Sequence, residues 1–286
     1  METILKSAKE TVVISLGKPT VLIGERINPT GKKSLAKALV EGDLSIVKQE
    51  AEEQVEAGAD ILDVNDGAAS VNEVELLPKA VKLVMETVDV PICIDSADVE
   101  ALRAALAMHK EMAPEGKPLI NSVNGEEERL EAILPLVVEF GAAVIGLAMD
   151  DDGIPPTPEK RFEVAQKIVE RAEGMGIPRE DILIDCLALT VGADSQAGRI
   201  TMQAIEMVRD ELGVNQTLGA SNVSFGLPER ETINWVFLGM CIQNGLNAPI
   251  VDVEKVRPAV LAADLVLGRD DYAMRYIKAY KKRQKK

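Results

Sequence analysis

Eight short apolar runs, rich in β-branched residues, recur along the chain, and this repeat constrains the fold more than any other feature. They occupy residues 21–26 (VLIGER), 59–65 (ADILDVN), 91–96 (PICIDS), 118–124 (PLINSVN), 142–149 (AAVIGLAM), 182–187 (ILIDCL), 217–224 (TLGASNVS) and 248–253 (APIVDV). Their starts lie 24 to 40 residues apart, the span of a strand, a helix and two loops. The runs are continuously apolar rather than alternating, which suits parallel strands covered on both faces. Helical periodicity fills the intervals at 43–57, 99–109, 126–140, 158–175, 197–212 and 228–244. Glycines at 58, 141, 176, 213 and 245 stop five of these, as helix C-caps do. The pattern predicts an α/β protein built as a single (β/α)8 barrel over residues 21–280. Residues 1–20 become an N-terminal extension, either a plug or an edge strand, and 281–286 a basic C-terminal tail. A doubly wound open sheet is the rival, but no linker divides the chain and neither G-x-G-x-x-G nor a P-loop is present.

Charge narrows the function. The 286 residues carry 47 acidic and 32 basic side chains, a formal charge of −15. Six of the basic groups fall in the last nine residues, which leaves 26 against 47 in the body. Such a body repels phosphate backbones, and eight aromatics give little for bases to stack on, so no nucleic-acid role is expected. The basic end reads as an unstructured solubilising segment rather than a contact for an acidic partner. No apolar run reaches the roughly 18 residues of a membrane span, so no membrane role is expected. The N-terminus lacks the apolar core of a signal peptide. Cys93, Cys186 and Cys241 are widely separated, without zinc spacing, and are expected to be core residues in a cytoplasmic protein with no bound metal. The only histidine, His109, excludes any triad or metal site that needs two, and reads as a solvated surface residue.

In a barrel of this kind, chemistry sits at the C-terminal ends of the strands. Those ends are polar here: Glu25, Arg26 and Asn28; Asp63, Asn65 and Asp66; Asp95 and Ser96; Asn121, Ser122 and Asn124. Met149 and Asp150, Asp185, then Ser221, Asn222 and Ser224, and finally Asp252 complete the circuit. Any one of them could be a loop starter or helix N-cap, roles that favour Asp, Asn and Ser. Together they form a ring of donors and acceptors with few cations, able to read the edge of a flat polar heterocycle. A sugar phosphate is poorly served, because the seventh run leads into SNVSFGLPER, with one glycine and Arg230.

The ordered motifs GERIN (24–28), LDVN (62–65), CIDS (93–96), INSVN (120–124), GLAM (146–149), ID (184–185) and SNVSFG (221–226) resemble the pterin-binding methyltransferase family. Its members include methyltetrahydrofolate:corrinoid protein methyltransferases and the folate module of cobalamin-dependent methionine synthase. The resemblance runs from about residue 21 to 280. It implies that Asp95, Asn121 and Asp185 bind the pyrimidine edge of the pterin, and that Asn222 reaches N5, where the methyl group leaves. Gly219, Ser221 and Met149 become pocket walls. Asn28, Asn65 and Asn124 lie on the rim without fixed roles.

The implied activity is methyl transfer between methyltetrahydrofolate and the cobalt of a corrinoid, with Asn222 and Asp95 as catalytic residues acting on a protonated N5. The cobalamin motif D-x-H-x-x-G is missing, so the corrinoid (cobalamin) would arrive on a partner protein. A homodimer is also implied. Dihydropteroate synthase shares the pocket and is the alternative enzyme, although its S-R-K and P-D-S-F elements read SNVSFG and NPTGKK here. A non-catalytic folate-binding barrel is the remaining alternative.

Overall fold

The computed structural model describes residues 1–68 and 71–284. Strands β1 (Thr3–Lys6) and β2 (Thr11–Ile14) form an antiparallel hairpin. Eight further strands close into one parallel barrel: β3 (Ile23–Ile27), β4 (Ile61–Val64), β5 (Ile92–Asp95), β6 (Leu119–Asn124), β7 (Ala143–Leu147), β8 (Ile182–Asp185), β9 (Asn215–Gly219) and β10 (Ala248–Val251). β10 pairs with both β9 and β3, so the ring has no edge. The (β/α)8 barrel expected from the spacing is the fold observed.

Alternate strand residues serve two cores, which explains the unbroken apolar runs. Ile23, Ile61, Cys93, Leu119, Ala143, Ile145, Leu183 and Ala248 cluster together inside the barrel. Leu62, Ile94, Ile120, Val144, Ile184 and Leu218 join the larger layer beneath the helices. Leu5 and Ile14 of the hairpin belong to the inner cluster. The hairpin therefore plugs the mouth where the strands begin. Asn215, at the start of β9, donates from Nδ2 to Thr3 Oγ1 (2.8 Å) and to the Ile14 carbonyl (3.0 Å). With that mouth sealed, the open one is at the strands' C-terminal ends.

The helices are α1 (Lys33–Val40), α2 (Ser45–Ala57), α3 (Glu73–Thr87), α4 (Val99–Met112), α5 (Glu127–Phe140), α6 (Pro158–Gly174), α7 (Ala197–Met207), α8 (Arg230–Asn244), α9 (Val253–Val266) and α10 (Met274–Arg283). Gly58 (φ 105°) and Gly141 (φ 61°) end α2 and α5 in the left-handed conformation, the role their sequence positions suggest. Sequence periodicity did not reveal α1, α3, α9 and α10. Pro78 lies inside α3 and Pro258 inside α9, where each reads as a helix breaker. Both sit in the second turn, where one lost hydrogen bond is offset by the burial of Leu77 and Val81, or Val256 and Val260.

Three expectations need correction. The seventh strand covers Asn215–Gly219, and residues 220–224 form a 3-10 turn above it. The basic end is helical through Arg283, and Lys282 Nζ donates to the Glu56 carbonyl (2.8 Å); Lys285 and Lys286 lie outside the described residues. His109 is buried, 2% exposed, because it continues the inward stripe of Leu102, Ala105 and Leu106 on α4. Burial pulls its pKa down to about 4, which keeps it neutral. The three cysteines are free and buried, as expected. Among the described residues, no helix is long and apolar enough to cross a membrane.

Candidate active site

On five of the eight barrel strands the inward positions turn from apolar to acidic or amide two residues further along. Ile23 is followed inward by Glu25, Ile61 by Asp63, Cys93 by Asp95, Leu119 by Asn121 and Leu183 by Asp185. The apolar layer thus ends in a polar floor at the open mouth. The GERI segment of β3 shows how the backbone sorts this chemistry. A Cβ on Gly24 would meet Gln54 Oε1 at 2.5 Å, and that oxygen accepts from the Arg26 N–H (2.8 Å). Arg26 turns outward to Glu50, Glu53 and Glu254, which leaves Glu25 facing the interior.

Hydrogen bonds tie the floor together. Asn65 Nδ2 donates to Asp95 Oδ2 (2.9 Å), and Asn121 Nδ2 donates to Asp63 Oδ1 (3.2 Å). The Leu187 N–H donates to Asp185 Oδ1 (2.7 Å) and the Gly219 N–H to Asp185 Oδ2 (3.1 Å). Ser221 Oγ donates to Glu25 at 3.3 Å. The Thr217 hydroxyl, paired in register with Asp185, is buried with no hydrogen-bond partner among the described residues.

Crowded burial drives the acids toward neutrality. Burial, then Asp252, raises Glu25 to about 7. Burial raises Asp95 to about 6, with the Asn65 hydrogen bond opposing it and Glu73 adding to it. Burial raises Asp185 to about 6 against the pull of two backbone N–H groups and Arg161. Asp63 lies well above the carboxylate range because of its burial and the adjacent Asp95. The floor can therefore accept or supply protons near neutral pH, and its field favours a cation above it.

The chain's relatives lie in one family. The family model described as pterin binding enzyme matches residues 24–252, the whole barrel from β3 to the end of β10. The chain belongs to the pterin-binding enzyme family. It is 32% identical over 270 residues to the methylcorrinoid:tetrahydrofolate methyltransferase of Eubacterium limosum, covering 91% of this chain and 96% of that protein. It is 34% identical over 266 residues to the methionine synthase of Mycobacterium leprae, covering 88% of this chain but only 22% of that much longer protein. Dihydropteroate synthase from Yersinia pestis, solved with a pterine-sulfa conjugate, superposes with a TM-score of 0.69 at 17% identity, over 94% of this chain and 99% of that one. That likeness is one of fold.

The structure gathers most of the rim residues named from sequence. Asp95, Asn121, Asp185, Gly219 and Ser221 meet on the inner face, and Asn65 joins them through Asp95. Asn222 is exposed on the 220–224 turn, and its side chain has no hydrogen-bond partner among the described residues. Arg230 steadies that turn by donating to the Ser221 carbonyl (2.7 Å) and to Ser224 Oγ (3.0 Å). Met149 brings its backbone against the β6 loop, its carbonyl accepting from the Gly125 N–H (2.8 Å). Asn28 and Asn124 spend their side-chain oxygens on their own loops, accepting from the N–H groups of Thr30 and Glu126. Among the described residues, no group of three or more His, Cys, Asp or Glu side chains is placed to hold a metal ion.

Glu25 and Asp63 are central to the floor, yet the sequence placed them only in the general polar ring, with no role of their own. The missed signal was local: each stands two residues beyond an inward isoleucine. Asp66 is a cost of this crowding. It is 1% exposed, both its carboxyl oxygens lack partners among the described residues, and burial with Glu73 nearby raises its pKa to about 7. The folded protein therefore keeps a proton on Asp66 that an unfolded carboxyl releases near pH 4. The resulting loss of stability grows as pH rises through that interval and is complete above 7. Asp66→Asn should raise stability by about 2 kcal/mol at pH 8 and leave it nearly unchanged at pH 4. Thermal unfolding at the two pH values checks this; an equal or lower melting temperature at pH 8 would refute it.

Proposed function

We propose that this protein transfers the N5-methyl group between methyltetrahydrofolate and the cobalt of a corrinoid carried by a separate protein. The observation that carries the reading is the Asp95–Asn121–Asp185 face, an acceptor–amide–acceptor arrangement on the floor of the open mouth. It suits the alternating polar edge of a pterin. The near full-length relative named methylcorrinoid:tetrahydrofolate methyltransferase supports the same substrate pair. His109 is buried in α4 and cannot reach a cobalt, which favours a corrinoid held by the partner.

An N5 amine anion is too poor a leaving group, so N5 takes up a proton before its bond to the methyl carbon breaks. The electron pair of that bond stays on N5, and the cobalt, as Co(I), supplies the pair for the new bond to carbon. In this reading the Asn222 amide accepts from the N5–H. Asp95 and water back it, and the acidic floor favours the developing positive charge. The open mouth leaves room for a docking protein.

Methyl transfer from methyltetrahydrofolate to free cob(I)alamin tests the reading. Turnover is expected; folate binding without transfer would favour a carrier barrel. Condensation of a pterin pyrophosphate with p-aminobenzoate would favour the dihydropteroate synthase chemistry, against which the loop sequence SNVSFG already argues. The reading includes a homodimer, because Trp235, Val236, Met240 and Val266 leave an apolar face exposed along α8 and α9. Light scattering should give twice the chain mass, and a monomer would remove that part. It also includes a cytoplasmic setting, suited to three free cysteines.

A further inference from the structure

Among the described residues the largest fully buried side chain belongs to Arg161 on α6, which is 1% exposed and makes no direct ion pair. Buried guanidinium groups are costly unless their donors find acceptors. Here Nε donates to the Pro155 carbonyl (2.9 Å). Nη1 donates to the carbonyls of Cys186 (2.9 Å) and Leu187 (2.7 Å) and approaches Thr201 Oγ1 at 3.3 Å. Thr201 Oγ1 itself donates to the Leu187 carbonyl (2.9 Å). The Nη1 and Thr201 bonds converge on the loop that leaves β8, while the Nε bond ties in the connection between β7 and α6.

Two details link this cluster to the pocket. The Cys186 carbonyl and the Leu187 N–H belong to one peptide group, and that N–H is the 2.7 Å donor to Asp185 Oδ1. A cation on the carbonyl end polarises the peptide and strengthens the donor at its other end. Leu187 also has φ of 61°, a left-handed conformation that a leucine adopts only when its surroundings impose it. Arg161 and Thr201 grip the peptides on both sides of that residue.

We propose that Arg161 is a positioning residue for the pterin: acting through the Cys186–Leu187 peptide, it fixes both the orientation and the negative charge of Asp185. The inference rests on the pterin-site reading above and adds to it a residue outside the pocket. Arg161 is the charged group that bears on Asp185 from the helix layer. Leu147 on β7 and Thr217 on β9 flank Asp185 in register and are uncharged. The next residue in the chain, Cys186, is a buried thiol held protonated by burial.

The test compares wild type with Arg161→Met and Arg161→Lys in two measurements. The dissociation constant for methyltetrahydrofolate is followed from pH 5.5 to 8.5. The Asp185 carboxyl is titrated by carbon-13 NMR without folate, assigned by difference from Asp185→Asn. In Arg161→Met, the Asp185 titration should move upward by about one pH unit, and binding at pH 6.5 should weaken about threefold more than at pH 8.5. Arg161→Lys should recover most of the titration shift, since it restores the charge. If Arg161→Met does not fold, a position for Arg161→Lys between wild type and Asp185→Asn in the binding series supports the inference. A uniform loss of binding at every pH, with an unmoved Asp185 titration, would show a structural role only and overturn it. Failure of the wild type to bind folate would sink the functional reading, while the NMR titration would still decide the Arg161–Asp185 link.

Discussion

Asn222→Ala should lower methyl transfer about 100-fold while changing the folate dissociation constant by no more than a few-fold. The asymmetry follows from where the residue sits. Asn222 stands on the exposed 3-10 turn over the mouth and not in the hydrogen-bonded floor, so removing it disturbs none of the floor bonds. Its amide has no protein partner among the described residues, so it is free to turn as the ligand's needs change. Before N5 is protonated the amide can donate to it; afterwards it can accept from it. Its contribution is therefore largest in the transition state, and interactions of that kind appear in the rate rather than in affinity. Loss of one such stabilising group typically costs about 3 kcal/mol, or roughly a hundredfold. Single-turnover transfer to cob(I)alamin, beside equilibrium folate titration, makes the measurement. Transfer within a few-fold of wild type would remove Asn222 from the mechanism.

What could be read from sequence divides along physical lines. The barrel was legible because each strand is a continuous apolar run, and only double-sided burial of parallel strands asks for that. Helix ends at Gly58 and Gly141 were legible because a left-handed terminus strongly favours glycine. Helices α3 and α9 were hidden because Pro78 and Pro258 are local penalties that only tertiary packing offsets. His109 was misplaced by its polarity, although the helical stripe it continues pointed inward. The site behaved in the same way. Asp95, Asn121 and Asp185 were named because the motifs CIDS, INSVN and ID that hold them resemble those of a known family. Arg161 was invisible, since its role depends on carbonyls 25 and 26 residues away in sequence.

Asp185→Asn should raise the folate dissociation constant about 100-fold at pH 7.5. Both carboxyl oxygens of Asp185 are already held by backbone N–H donors, from Leu187 and Gly219, which fixes the plane of the group. An ionised carboxylate held this way offers its remaining lone pairs to the adjacent donors on a pyrimidine edge. Each hydrogen bond to a charged acceptor contributes about 1.5 to 3 kcal/mol. An asparagine replaces one acceptor with a donor, which would face the Leu187 N–H in one orientation and the Gly219 N–H in the other. Neither orientation satisfies every group. The same reasoning sets the pH dependence. Asp185 and Asp95 both titrate at about 6 in the free protein, so wild-type affinity should fall as pH drops below 6 and their protons return. Bound folate stabilises the ionised forms and moves that fall to lower pH in the complex. Binding by Asp185→Asn should keep only the part of this dependence that belongs to Asp95. Identical acid limbs in wild type and Asp185→Asn would show that Asp185 is not the group whose charge the ligand reads.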